Sequence, residues 1–239
     1  MRRSHFTRVL VALAVIALAA CGDTSTQVAS VSGDAIPFNI GNTKRLAGAA
    51  VWVLEHPEKR MVTGEDGHFA FDGLPVGSNA TLVLEKEGYH PIQTGTHRVT
   101  PEGLERVTFQ VVSDEVFAAF AGVVGVVPDP NDCQVATTVT RVGRSLYDPG
   151  AHGEAGATVT IDPPLPAANG PIYFDSNVVP NRARTETSDD GGVVFVQVPP
   201  GVYELRAYKP GVEFLPVTIT CRAGLLVNSS PPWGLQALD

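Results

Sequence analysis

Long apolar runs, histidine and basic charge are all in short supply in this chain. Two uncharged apolar stretches, residues 9–20 and 117–127, hold twelve and eleven residues. A bilayer-spanning helix needs ~20, so neither qualifies. Of six histidines, His56, His68, His90 and His97 are scattered through the first half, and His152 stands alone in the second. That leaves no ligand pair at metal spacing and speaks against a histidine-built iron or zinc shell. Neither a Gly-x-Ser-x-Gly elbow nor a phosphate loop nor a dinucleotide fingerprint occurs, so nothing calls for a cofactor. Lysine and arginine number 17 against 25 acids, for a net charge of −8. Three of those arginines, Arg2, Arg3 and Arg8, lie in the first eight residues, which contain no acid. The remainder is more acidic still, which argues against nucleic acid or anionic lipid as a partner.

What is present begins with that arginine-rich start and the apolar run after it, the pattern of a secretory signal. The run ends in Leu18-Ala19-Ala20-Cys21. These residues resemble the lipobox of bacterial lipoproteins. The resemblance implies that residues 1–20 are a signal peptide and that Cys21 is lipidated. Residues 21–30 would then be a tether, the membrane would be a partner through the lipid anchor, and the location would be the cell envelope. Gly22 directly after the cysteine would favour the outer membrane in a diderm organism. A plain signal peptide followed by a chance cysteine is the alternative. With Cys21 set aside, Cys133 and Cys221 remain as an even pair in an oxidising compartment, and a disulfide is expected. Two free thiols, or a metal site with His152, are the competing readings.

The mature region repeats itself. Residues 63–77, with Thr63, Asp66, Gly67, Phe71, Pro75 and Gly77, align without a gap on residues 187–201, with Thr187, Asp190, Gly191, Phe195, Pro199 and Gly201. An Ala-Gly-Ala block precedes each copy, at Ala47 and Ala155, and an alternating strand follows each, at residues 81–85 and 203–207. Asp66-Gly67 and Asp190-Gly191 read as tight hairpin turns. Pro75 and Pro199 read as strand stops. Short strands at this spacing predict an all-β chain of two small antiparallel β-sandwich domains. The motif is similar to that of the carboxypeptidase regulatory-like family, whose prealbumin-like (transthyretin-like) sandwich it implies. That family is associated with accessory, non-catalytic modules. The expected domains are residues 31–113 and 114–239, with residues 113–115 as the link and residues 117–127 as the first strand of the second domain.

The second copy departs from the first by two additions, within residues 128–154 and 163–184. They carry Tyr147, Tyr173, Phe174, Asn177 and Arg182, which could form a binding face of stacking rings and polar contacts. The alternative is that the additions cap an open end of the sandwich. Three functions follow as expectations. The first is a non-catalytic envelope lipoprotein with a structural or protein-binding role. The second is a polysaccharide binder using Tyr173 and Phe174. The third is an unrecognised enzyme built on Arg141, Tyr147 and His152. Trp233 is expected to clasp the C-terminal tail onto the sandwich.

Overall fold

The computed structural model describes residues 26–38, 44–148, 150, 152–229 and 232–238. The leader and residues 21–25 of the expected tether, Cys21 among them, lie outside the described residues; residues 28–30 are not tether but the start of the first strand. In chain order the first copy contains β1 (Val28–Pro37), β2 (Ala50–Val53), β3 (His56–Val62), β4 (His68–Pro75), β5 (Asn79–Glu85), β6 (Ile92–Arg98) and β7 (Phe109–Val111). A helix, α1 (Asp114–Val124), leads into the second copy. There follow β8 (Cys133–Thr140), β9 (Thr158–Asp162), β10 (Ile172–Phe174), β11 (Pro180–Asn181), β12 (Gly192–Val198), β13 (Gly201–Tyr208), β14 (Val217–Cys221), β15 (Leu226–Ser229) and β16 (Leu235–Gln236). The chain is an all-β sandwich protein, as its turn and strand pattern predicts.

The repeat is real at the level of hydrogen bonds. In the first copy the Thr63 hydroxyl donates to the Leu46 carbonyl at 2.6 Å and accepts from the Ala49 N–H at 3.0 Å. In the second the Thr187 hydroxyl donates to the Glu154 carbonyl at 2.5 Å and accepts from the Ala157 N–H at 2.9 Å. Both threonines are buried, at 4% and 1% exposure, and each hydroxyl satisfies one backbone acceptor and one backbone donor. Gly67 and Gly191 each take a positive φ, 67° and 81°, at the hairpin turn. At both, a Cβ would also run into backbone, Ala35 O at 2.8 Å and Val139 O at 2.3 Å. Glycine is therefore required twice over.

Each copy is a sandwich of two sheets, and the way they join departs from two beads on a link. The sheet of β4-β1-β7 covers one core; the sheet of β14-β13-β9 covers the other. Their opposite layers fuse into one long mixed sheet, β11-β10-β12-β8-β15-β6-β5-β2-β3, with β16 also on β8. The seam is β15, which runs parallel to β8 on one side and to β6 on the other. Successive residues of a strand point to opposite faces. Leu226 accordingly packs into the first core with Phe69, Leu84 and Ile92. Val227 packs into the second with Val135, Phe195 and Ile219. The two cores thus lie on opposite faces of one sheet.

Residues 117–127 are a correction. They are mostly helix, not strand. The Ser113 hydroxyl caps the N-terminus by accepting from the Val116 N–H at 3.3 Å, with Asp114 and Glu115 in the first turn. Gly125, at φ 69°, ends the helix in the left-handed conformation. Val116, Phe117, Phe120, Ala121 and Val124 then share one face, a helical spacing that the Ala- and Gly-rich composition conceals.

Candidate functional site

The expected disulfide is present between Cys133 and Cys221, with Cα atoms 5.8 Å apart. It joins the start of β8 in the long sheet to the end of β14 in the small one. The bridge therefore crosses the second core. Among the described residues no group of three or more histidine, cysteine, aspartate or glutamate side chains is arranged to hold a metal ion. No helix of the described residues is long and apolar enough to cross a membrane.

The five residues expected to form a binding face have separate fates. Tyr173 is 3% exposed and its hydroxyl accepts from the Val159 N–H at 3.0 Å, so it is a core side chain with a satisfied polar end. Burial pushes its phenol up from the usual tyrosine range. Phe174 is 8% exposed and meets Phe120 of α1 edge-on, with ring centroids 5.7 Å apart. Tyr147 lies under the Arg106 guanidinium, 4.4 Å from its ring centroid, and Arg45 approaches to 5.9 Å. Those cation–π contacts pin the segment around Tyr147 onto the first copy. Burial raises the Tyr147 phenol as well. Arg182 spends its guanidinium on backbone. Its Nε donates to the Val124 carbonyl at 2.8 Å and its Nη1 to the Ala168 carbonyl at 2.9 Å. A cation at a helix C-terminus also complements the helix dipole. Asn177 is exposed, and its backbone N–H donates to Asp175 Oδ1 at 2.9 Å.

Of these five, Phe174 and Asn177 do meet at one place. They line a cavity of about 640 Å³ between α1 and the outer face of β8, β12 and β15. A void of this size is far beyond the packing gaps of a protein interior and falls within the range of ligand sites. Its roof is Val116, Phe117, Phe120, Ala121 and Val124; its floor includes Ala136, Thr138, Val194, Val196 and Leu226. Asp148, His152, Asp189 and Asp190 also line it, beside the hairpin turn that precedes β12. His152 Nδ1 lies 3.1 Å from the Gly150 carbonyl, close enough to donate to it. Asp148 accepts from the Ser145 N–H at 2.7 Å and pairs with Arg144 at 3.8 Å. Its backbone hydrogen bond, more than the arginine, holds its carboxyl below the usual range. Asp190 is driven the other way. Desolvation raises its carboxyl, opposed by the Gly192 N–H it accepts at 3.0 Å and by His152, and reinforced by Asp189 and Asp175.

Of the expected rings only Phe174 lines this cavity, and the cavity itself was hidden because its roof was expected to be a strand. Trp233 closes a different place. Its indole N–H donates to the Glu105 carbonyl at 2.6 Å, and its ring stands 5.8 Å from that of His97. The C-terminal clasp therefore fastens onto the first copy. Burial lowers His97 to about 4. For the enzyme reading, Tyr147 is taken up under Arg106, and Arg141 and His152 meet through backbone, the Arg141 N–H donating to the His152 carbonyl at 3.1 Å.

Fold and cavity together define a two-sandwich β-protein with one shared sheet and a helix-roofed pocket on its outer face. No family model matches the sequence, and no curated protein matches it. Among solved structures, the Bacillus anthracis TIE protein is 12% identical, with 84% of this chain covered, 33% of that one and a TM-score of 0.27. The chain thus spans about a third of that protein. The shaft pilin SpaA from Lactobacillus rhamnosus GG is 11% identical, with 89% and 97% covered and a TM-score of 0.26. GBS52, the minor pilin of Streptococcus agalactiae, is 9% identical, with 88% and 97% covered and a TM-score of 0.27. Likenesses this distant carry no argument about role.

Proposed function

We propose that this chain is a lipid-anchored cell-envelope protein whose two sandwiches act as one non-catalytic block with a structural or protein-binding role. The observation that carries the second half of this reading is the seam. Pairing of β15 with both β6 and β8 makes the two copies share a sheet, so they hold a fixed orientation with no linker to flex. A disulfide between the layers of the second copy suits an oxidising compartment outside the cytoplasm. The lipobox-like residues ending in Cys21 support the anchor. The polysaccharide reading is weaker, because Tyr173 faces a core and not solvent.

The anchor is tested by changing Cys21→Ser and following lipid labelling and membrane fractionation. Loss of the label, with the protein released into the soluble fraction, is the expected result. Labelling that persists in the variant overturns it.

A further inference from the structure

The helix α1 is seated on very little. Five of its side chains form an apolar face directed at the long sheet, yet only Val124 among them is buried. At its C-terminal end Val124 packs on Ile172 and Val196 of the sheet, and its other anchors are peripheral. His90 stacks on Phe117 with ring centroids 3.6 Å apart, Phe38 meets Phe120 at 5.5 Å, and Arg182 holds the last carbonyl. Between these anchors lies the 640 Å³ cavity. The helix is propped over the space and does not fill it.

Charge around the space is of one kind. Among the described residues lining it there is no lysine or arginine. Of its three carboxylates, Asp148 is matched by Arg144, while Asp189 and Asp190 take part in no salt bridge among the described residues. His152 stands beside Asp190, and Asp175 adds a further negative charge from the neighbouring hairpin. An anionic amphiphile would bring its charge to carboxylates with no lysine or arginine among the lining residues to receive it, and like charges repel. A positive head would meet uncompensated partners, while its hydrocarbon would cover Ala136, Val194 and the helix face.

We infer that the cavity beneath α1 binds a small cationic amphiphile, its apolar body between the helix and the sheet and its ammonium group against Asp189 and Asp190. This goes beyond the structural role proposed above and does not depend on the anchor, since every residue involved lies in the sandwiches.

The test is calorimetric titration of the full chain, disulfide intact, with octyltrimethylammonium and with octanoate, both below their micellar concentrations. The cation is expected to bind once per chain and octanoate at least about tenfold more weakly, the scale of one charged contact. Asp190→Asn keeps an acceptor for the Gly192 N–H but removes the charge, and is expected to weaken the cation by about tenfold. Ala136→Phe fills the cavity from the floor and Ala121→Phe from the roof; either one, shown by near-ultraviolet circular dichroism to be folded, is expected to abolish binding. Equal binding of the two probes, binding of neither, or cation binding that survives both folded cavity-filling variants overturns the inference. So does a concentration-dependent dimer that Ala121→Phe abolishes, because a second copy would then occupy the site.

Discussion

The long sheet has two flanks, and they are covered in opposite ways. Where the second core's face of the sheet runs on into the first copy, β14 lies against β6. Gln93 there donates to the Thr220 carbonyl and accepts from Arg222 Nε at 2.8 Å, and the Thr96 and Thr220 hydroxyls sit 3.1 Å apart. The contact is direct and polar. Where the first core's face runs on into the second copy, no strand arrives among the described residues. A short apolar helix bridges the gap and leaves the cavity. Two copies that agree in the threonine hydroxyl, the hairpin glycine and the strand stop therefore differ in what closes their exposed flank. In this molecule the repeat carries the scaffold, and the break in the repeat carries the candidate site.

The largest test of this contrast is the disulfide, which only the second copy possesses. Changing both Cys133 and Cys221 to Ser is expected to cost ~2–5 kcal/mol by denaturant unfolding, since the bridge closes a long loop. The shared sheet predicts that the loss appears in a single transition involving both copies. Two separated transitions, with the first copy unaffected, would show that the seam does not couple them. A smaller effect tests the likeness of the copies. Thr63→Val and Thr187→Val each take the hydroxyl partner from a backbone carbonyl and a backbone N–H, and each is expected to cost ~1–3 kcal/mol. Similar losses support equivalent scaffolds, and a loss confined to one would separate them.

The smallest effect concerns the cavity. Burial lifts the Asp190 carboxyl above its ordinary range, so over that interval the folded chain holds a proton that the unfolded chain has released. Stability from this group is complete below the usual aspartate range and is lost as pH rises through the folded value. Asp190→Asn is accordingly expected to raise the melting temperature at neutral pH, with the gain vanishing toward pH 3. A gain that grows toward acid would mean that Asp190 is not strained by its surroundings. Asp66→Asn, at the matching but exposed turn of the first copy, is expected to change stability by no more than about 0.5 kcal/mol.

Local chemistry made much of the scaffold legible. The Asp-Gly pairs, the Pro stops and the recurring threonine each act within a few residues of themselves, so they can be found in a string of letters. Residues 117–127 misled because alanine, glycine and valine suit a buried strand as well as a small helix; the deciding signals were Ser113 as a cap and the spacing of Phe117, Phe120 and Val124. Tyr173 looked like a surface ring because it falls in an insertion. Its neighbours Ile172 and Phe174 are apolar too, and three such residues in a row mark a strand buried on both faces. The seam was not legible at all. Leu226 and Val227 show only that both faces of β15 are covered; that β6 and β8 are the neighbours is fixed by packing between segments far apart in the chain, Leu226 pairing with Ile92 and with Gln134.

The seam also sets an order in time. Synthesis runs from the N-terminus, and β15 is among the last strands to emerge. Leu226 nevertheless belongs to the core of the first copy. The N-terminal half can therefore gather its own hairpins early but must wait for the far end of the chain to close its sheet. Until residues 226–229 arrive, β6 remains an open edge.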